Sequence, residues 1–509
     1  MTFEEYLLKI GIPNVLKIVP YRNPMYENEQ KVFSYLADIC ENQRKVYIYG
    51  DYDVDGAMCA LIINDALSYL NVKNKKVYHY TNRTHALDIS AAKECYQMDY
   101  EYMIVCDTGS SMEDLGMIKF LCDSGIKVIV LDHHESPLDY SDLPYNVAMV
   151  NTTIENRHLK EQKYKLSAAA LCFTVIYKFI ECNAKISALP LITYALVSLY
   201  SDCMDMSNEL NRAIYWKTQD LPASLIPSKV RYFMPANMAF TRRFIEFQFS
   251  PRINTLFRSE RFDLLNQYFF PEESELSRIS NFIQPILDLH SENRAFVNEI
   301  TDSLIIEDSM KSFVYCDLSS QLGYDFSQNN RVYNYTGLVA QKLTDRYKKA
   351  AVVTCQYQGI NKGSLRDLYG RNYLKLFQSI CQAGGHNSAF GLQIDLFGLD
   401  YFVQRLQEID EFFTEDFVPN KPITIKHKGG VPDEELCYQI ARYNDFSGQT
   451  LPVAYLSKVF DNHVVQRFTQ DGFYYLWHGI IISASYEVPF GTAGRLKPYL
   501  GDRVKLQLA

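Results

Sequence analysis

Three short apolar runs in the first half of the chain each stop at an acid. Val46–Tyr49 (VYIY) runs into GDYDVDG, Met103–Cys106 (MIVC) into Asp107, and Val128–Leu131 (VIVL) into Asp132. Each run is about four residues long, β-branched or aromatic, and separated from the next by helical spacing, as in Met58–Tyr69 and Met112–Ser124. Strand, loop and helix repeated in this way predict an α/β domain built on a parallel sheet. Ligands of such sheets sit beyond the carboxyl ends of the strands, where Asp51, Asp53, Asp55, Asp107, Asp132, His133 and His134 follow their strands. Asp202, in LVSLYSDCMD, follows a further apolar segment that brings it toward the same edge.

One acid after a parallel strand commonly does no more than cap the next helix, and Asp-Gly is commonly a turn. Four groups at successive strand ends, one of them Asp-His-His, are a different matter. Carboxylates gathered within a few ångströms repel and raise one another's pKa, a cost that divalent cations offset. Oxygen ligands with one or two imidazoles suit Mn²⁺ or Mg²⁺ better than Zn²⁺. Two such ions clamp the attacking and leaving oxygens of a phosphoryl displacement.

With these residues in view, the sequence resembles the DHH phosphoesterase superfamily, and within it the RecJ-type single-strand exonucleases. GDYDVDG is similar to the first motif, DTG to the second, DHH to the third, and the Asp202 segment to the fourth. SPRINTLFR (250–258), KGSLR (362–366) and AGGHNSAFG (383–391) resemble RecJ segments further along, and NDFSGQTLPVAYL (444–456) a weaker one. The family's PNR stretch reads TNRTHALDIS here, with Asn82 and Arg83 kept and the following glycines lost, which marks a divergent member.

The resemblance implies an α/β architecture in four parts: a parallel-sheet DHH catalytic domain (1–235), a nucleic-acid-contacting segment with a long bridging helix (236–300), an α/β DHH-associated domain (301–405), and a connector with a small β-rich, OB-like domain (406–509). It implies a Mn²⁺- or Mg²⁺-dependent exonuclease, Mn²⁺ preferred, that degrades single-stranded DNA from its 5′ end with two cations. Asp53, Asp55, Asp107, His133 and Asp202 fall on metal-ligand positions, Asp107 as the bridge. Asp51, Asp132 and His134 join Asp107 as catalytic or supporting groups. Arg83, Arg252, Asn254, Arg258, Lys362, Ser364, Arg366, Gly384, Gly385 and His386 fall to phosphate and nucleic-acid binding. A single-strand-binding protein or a helicase is the implied partner of a monomer. Two other readings stay open: a phosphodiesterase for short oligonucleotides or cyclic dinucleotides, and a replication scaffold that does not catalyse.

The net charge of −9 does not exclude a nucleic-acid partner, because the bases are segregated. Residues 212–261 hold nine bases against three acids, and residues 342–375 eight against two. Basic side chains interleaved with Tyr232, Phe233, Phe244, Phe247, Phe249 and Phe257 suit a groove that tracks phosphates and stacks bases. Twelve cysteines without a CxxC pair predict reduced thiols in a cytoplasmic protein. The opening MTFEEYLLKI lacks a basic segment and predicts no signal peptide. The longest apolar stretches, around 166–177 and 189–200, fall short of the ~20 residues a membrane span needs.

Overall fold

The structure is a computed structural model. It describes residues 3–9, 15–81, 86–157, 159, 163–183, 187–235, 239–271, 273–307, 309–323, 330–368, 371–395, 398–412, 423–426 and 434–447, with the C-terminal strands 454–459, 464–469, 472–477, 480–484, 493–500 and 504–508. It divides into two compact units, Met1–Gln284 with Ile423–Ala509, and Pro285–Pro422.

The first unit is built on five parallel strands, β1 (Val46–Gly50), β2 (Lys75–Val77), β3 (Tyr102–Cys106), β4 (Lys127–Asp132) and β5 (Val147–Asn151). Their order is β2-β1-β3-β4-β5, all parallel. Every residue of β1, β3 and β5 is buried, as expected of strands covered on both faces. The chain moves outward in opposite directions from β1 and β3, so the strand order reverses between them. A crevice opens at such a switch point, and the loops carrying Asp51–Asp55 and Asp107 flank it.

The helix expected at Met58–Tyr69 starts earlier, at Val54. Asp53 supplies its N-cap, accepting a hydrogen bond from the Gly56 amide at 3.0 Å. The motif acid is thus a helix cap as well as a candidate ligand. This helix is buried nearly all round, between the sheet and the helices Ala168–Asn183 and Ile192–Ser201.

In the same unit, β11 (Ile423–Lys426), β12 (Ala454–Val459), β13 (Val464–Thr469), β14 (Gly472–Trp477), β15 (Ile480–Ala484), β16 (Ala493–Leu500) and β17 (Val504–Leu508) form a mixed sheet in the order β11-β12-β16-β17-β15-β14-β13. The helix Glu434–Phe446 packs on it. Asn444 fixes that contact: its amide nitrogen donates to the carbonyls of Ala454 (3.0 Å) and Pro498 (3.1 Å), and its oxygen accepts from the Ala454 amide (2.9 Å).

The second unit contains β6 (Phe313–Asp317), β7 (Ala350–Tyr357), β8 (Ile360–Arg366), β9 (Gln382–His386) and β10 (Ala389–Ile394), in the order β6-β7-β8-β10-β9. One face packs on the helices Ile283–Ser303 and Thr336–Tyr347 through Val297, Ile300, Val339 and Leu343. The other packs on the helix Leu399–Phe412 through Phe402 and Leu406. The long bridging helix expected within 236–300 is in two pieces, a 3₁₀ stretch Glu273–Phe282 and an α-helix Ile283–Ser303. Pro285 explains the break: it has no N–H, and its ring tolerates only the first helical turn.

Candidate metal centre

Two glycines let the first acidic loop fold back onto its own helix. A Cβ on Gly50 would lie 2.2 Å from the Gly56 carbonyl oxygen, and one on Gly56 would lie 2.2 Å from the Asp51 carbonyl oxygen. The strand end and the helix start therefore touch backbone to backbone, which turns Asp51, Asp53 and Asp55 toward the crevice. The ladder continues into both loops, with the Asp51 amide on the Cys106 carbonyl (3.2 Å) and the Asp107 amide on the Leu131 carbonyl (2.9 Å). Asp107 itself takes the left-handed conformation, φ 63°, which L residues visit at a cost.

The sequence-expected ligands converge. His133 Nε2 lies 3.3 Å from Asp107 Oδ1, 3.7 Å from Asp202 Oδ2 and 3.9 Å from Asp55 Oδ2. Three overlapping groups each place one ligand atom per residue within 4.8 Å of one another: Asp51–Asp53–Asp107, Asp55–His133–Asp202 and Asp107–His133–His134. Asp107 and His133 each belong to two of them. Asp107 Oδ1 is buried and accepts no hydrogen bond. Burial, then the charges of Asp55, Asp53 and Asp51, push the Asp107 carboxyl well above the ordinary aspartate range. Asp55, also fully buried, is pushed up to about 8 by burial and by Asp202 and Asp53. Repulsion of this kind among oxygen donors fits a divalent cation, and the donor set of carboxylates and imidazole suits a hard or borderline one.

Asp132 does a different job. Its Oδ1 accepts from the His133 amide (2.7 Å) and the His134 amide (3.2 Å), and lies 2.8 Å from His134 Nδ1. Burial would raise Asp132, but the hydrogen bond and charge of His134, with His133, hold it well below the ordinary range. His134 answers in kind. Burial pulls its imidazole down, yet Asp132, Asp51 and Asp202 together push it up to about 10. Its side chain is 57% exposed, so a cationic imidazole faces solvent with Nε2 left over for a substrate.

Several supports had no signal in the sequence, because each arrives from a distant segment. Asp55 accepts from the amides of Ala168 (2.9 Å) and Ala169 (2.8 Å), which open the helix Ala168–Asn183, and from Ser198 Oγ (2.5 Å). Asn151, at the end of β5, donates to Ser110 Oγ (3.0 Å) and to the His134 carbonyl (3.0 Å). Ser110 in turn donates to Asp132. The one available hint was position: Asn151 also ends a parallel strand.

Arg252, Asn254 and Arg258 lie on the helix Ser250–Arg258. Its first residue meets Ser201, the neighbour of Asp202, hydroxyl to hydroxyl at 2.6 Å. Near its end the Phe257 carbonyl accepts from Tyr52 of the acidic loop. The helix therefore braces two ligand-bearing loops. Arg252 is half-buried and donates to Gln248 and to the Phe233 carbonyl. Arg242, counted among the bases of 212–261, pairs internally with Glu246 at 2.7 Å. That stretch is less of an open basic face than its composition implied.

In the second unit, Lys362, Ser364 and Arg366 alternate along β8 and so share a face. Ser364 stands opposite Gly391, which stands opposite Gly384, so the two glycine-containing motifs are neighbours in one sheet. Gly363 is required by packing, since a Cβ there would lie 2.2 Å from the Val353 carbonyl oxygen. Gly385 has φ 132°. Ser364 Oγ is 3.1 Å from Thr336 Oγ1. Arg83 and the side chain of His386 lie outside the described residues.

Residues 45–200 match the DHH family, N-terminal domain. The single-stranded-DNA-specific exonuclease RecJ of Haemophilus influenzae is 24% identical over 419 residues, covering 75% of this chain and 69% of its own length. The protein of that name from Bacillus subtilis is 26% identical over 406 residues, 75% of this chain but 48% of its own length. In fold, the chain is similar to Thermus thermophilus RecJ in complex with Mn²⁺ (TM-score 0.69, 16% identity, 96% of this chain and 72% of that one). It is also similar to an exonuclease RecJ bound to manganese (TM-score 0.57, 15% identity, 78% and 97%). Among the described residues no helix is long and apolar enough to cross a membrane. Residues 45–200 thus carry a DHH-family N-terminal domain, within a chain that resembles RecJ proteins in sequence and in fold.

Proposed function

We propose that the protein is a metal-dependent exonuclease that removes nucleotides from single-stranded DNA in the 5′→3′ direction. The reading places it in DNA repair, recombination or replication, in the cytoplasm, as a monomer alongside a single-strand-binding protein or a helicase. The observation that carries it is the set of three overlapping ligand groups at one strand edge, joined through Asp107 and His133. The names of the two curated relatives support the substrate class.

Asp53, Asp55, Asp107, His133 and Asp202 are the residues that would hold two divalent cations, Mn²⁺ in preference to Mg²⁺. Bound there, such ions polarise a phosphoryl oxygen and lower the pKa of water. The chain supplies the rest. Asp132 orients His134 through its Nδ1 and favours its protonated form. The His134 cation then stabilises charge developing on the phosphate and can return a proton to the leaving oxygen. Asp51, beside Asp53 and Asp107, orients what binds between them. Lys362, Ser364 and Arg366 present one cationic, hydroxyl-bearing row to phosphate oxygens, as Arg-phosphate pairing favours, with Gly384–His386 on the neighbouring hairpin. Arg252, Asn254, Arg258 and Arg83 complete the assigned contacts.

The test is digestion of end-labelled single- and double-stranded DNA with and without Mn²⁺. The expected result is loss of the single strand alone, only with metal, to mononucleotides. Persistence of the single strand under all conditions, or equal attack on duplex, refutes the reading.

A further inference from the structure

Outside the metal centre, the first unit carries a groove of about 840 Å³ along the edge of its parallel sheet. It is lined by Lys73, Lys75, Lys76, His79 and Lys229 against a single carboxylate, Asp65. Asp65 is already engaged, accepting from Tyr194 (3.1 Å) and Asn64 (3.2 Å). Lys76 pairs with Glu94. Among the described residues, Lys75 Nζ donates to the Val72 carbonyl, 2.9 Å away. Lys229 stands 6.0 Å over the Phe270 ring, and burial draws its ammonium below the usual lysine range. Asp65 is the one carboxylate whose charge acts on both Lys75 and Lys229, and burial outweighs it at each. Partly buried ammoniums that share one distant carboxylate have lost more hydration than they regain, so an anion in the groove relieves them. Phe269 and Phe270 are themselves buried. The groove thus offers charge to a backbone and no open aromatic face to bases.

Its position is the second observation. The edge strand β2 runs parallel to β1, with Lys75 level with Val46 and Val77 level with Ile48. Beyond it, Tyr80 donates to the Asp51 carbonyl at 3.1 Å. The groove therefore leads toward the metal side of the sheet, and Lys75 is five residues, about 17 Å, behind Asp51. Lys73, Lys75 and Lys76 fall in neither of the two basic stretches counted from the sequence, whereas Lys229 belongs to the first.

We propose that this groove is a track for the phosphodiester backbone of a single strand, gripping nucleotides several positions away from the bond being cut. The inference rests on the nuclease reading and adds a second contact region on the same unit. It predicts that affinity grows with strand length by way of phosphate contacts independent of base sequence.

The experiment uses the full chain carrying Asp107→Asn, so that strands bind without being consumed, with and without Lys73→Gln, Lys75→Gln and Lys229→Gln combined. Fluorescent oligothymidylates of about 20 and about 5 nucleotides bracket one binding site. Removing the three charges is expected to reduce the long-to-short affinity ratio about tenfold, and to flatten the log-affinity against log-salt slope by about 2 for three lost phosphate contacts. Lys73→Glu with Lys75→Glu, which leaves the half-buried Lys229 intact, should reduce the ratio in the same direction. An unchanged ratio and slope overturn the proposal. So does loss of polyglutamate binding with DNA binding intact, which assigns the groove to an acidic protein segment. If the unsubstituted chain degrades no DNA at all, the nuclease reading fails by itself, whereas the length dependence tests the groove.

Discussion

At the scale of single residues, the centre depends on how each carboxylate is held as much as on its identity. Asp107 combines a left-handed backbone with a buried, hydrogen-bond-free oxygen. Asparagine tolerates that backbone well, whereas alanine there costs about 1 kcal/mol. Asp107→Asn is therefore expected to abolish nuclease activity while unfolding in denaturant within a fraction of a kcal/mol of the unsubstituted chain, and Asp107→Ala to be less stable than the Asn variant by about 1 kcal/mol. Equal activity in either variant would remove Asp107 from the centre. Asp51, Asp53, Asp55, Asp107, Asp132 and His133 were legible in the sequence because they follow apolar runs that read as strands, whereas Asp202 follows the helix Ile192–Ser201 and not a fourth strand. Ser110, Asn151, Ser198 and the Ala168 and Ala169 amides were not, since they are common residue types whose roles arise only when distant segments meet.

At the scale of elements, the contact between β1 and the helix Val54–Tyr69 sets the geometry of the first loop. Gly56→Ala would drive a Cβ into the Asp51 carbonyl, and no flexible side chain is there to yield. The expected cost is about 3 kcal/mol in denaturant unfolding, accompanied by weaker Mn²⁺ binding in calorimetry; a neutral substitution would show that the loop is not set this way. The strands were readable because buried parallel strands are continuous apolar runs. The start of the helix was not, because its first turn is written in acids and glycine that read as a loop. The break near Pro285 was overlooked for the converse reason: polar helical composition hid one residue without an N–H.

For the molecule as a whole, nothing local in the sequence marks that Ile423–Ala509 returns to the unit formed by the first 284 residues. The structure joins them through a buried polar network. Asp445 accepts from Tyr215 at 2.8 Å, its backbone carbonyl accepts from Tyr200 at 2.9 Å, and Arg442 donates to Tyr215 at 2.8 Å. Burial pushes the Asp445 carboxyl up to about 6 despite the Tyr215 hydrogen bond and the charges of Arg242 and Arg442. A carboxyl raised on folding favours the native state below its unfolded pKa, and that contribution disappears as pH rises through the folded value. Between about pH 4 and pH 6, unsubstituted protein should therefore lose up to about 3 kcal/mol relative to Asp445→Asn. Paired denaturant curves across that window check the sign, and parallel curves would contradict it. The overall charge of −9 is likewise distributed by the fold, with acids gathered at the strand edge and lysines along the sheet's flank.

The hold that Ala168 and Ala169 have on Asp55 bears on how a trap for substrate should be made. Cutting Asp55 back to alanine strands two amides at the buried start of a helix, at about 1–3 kcal/mol for each unsatisfied group. A silent Asp55 variant would confuse a lost reaction with a loosened scaffold. A form that grips a strand without severing it is better sought at Asp107, whose carboxylate can be exchanged for an amide without releasing any helix.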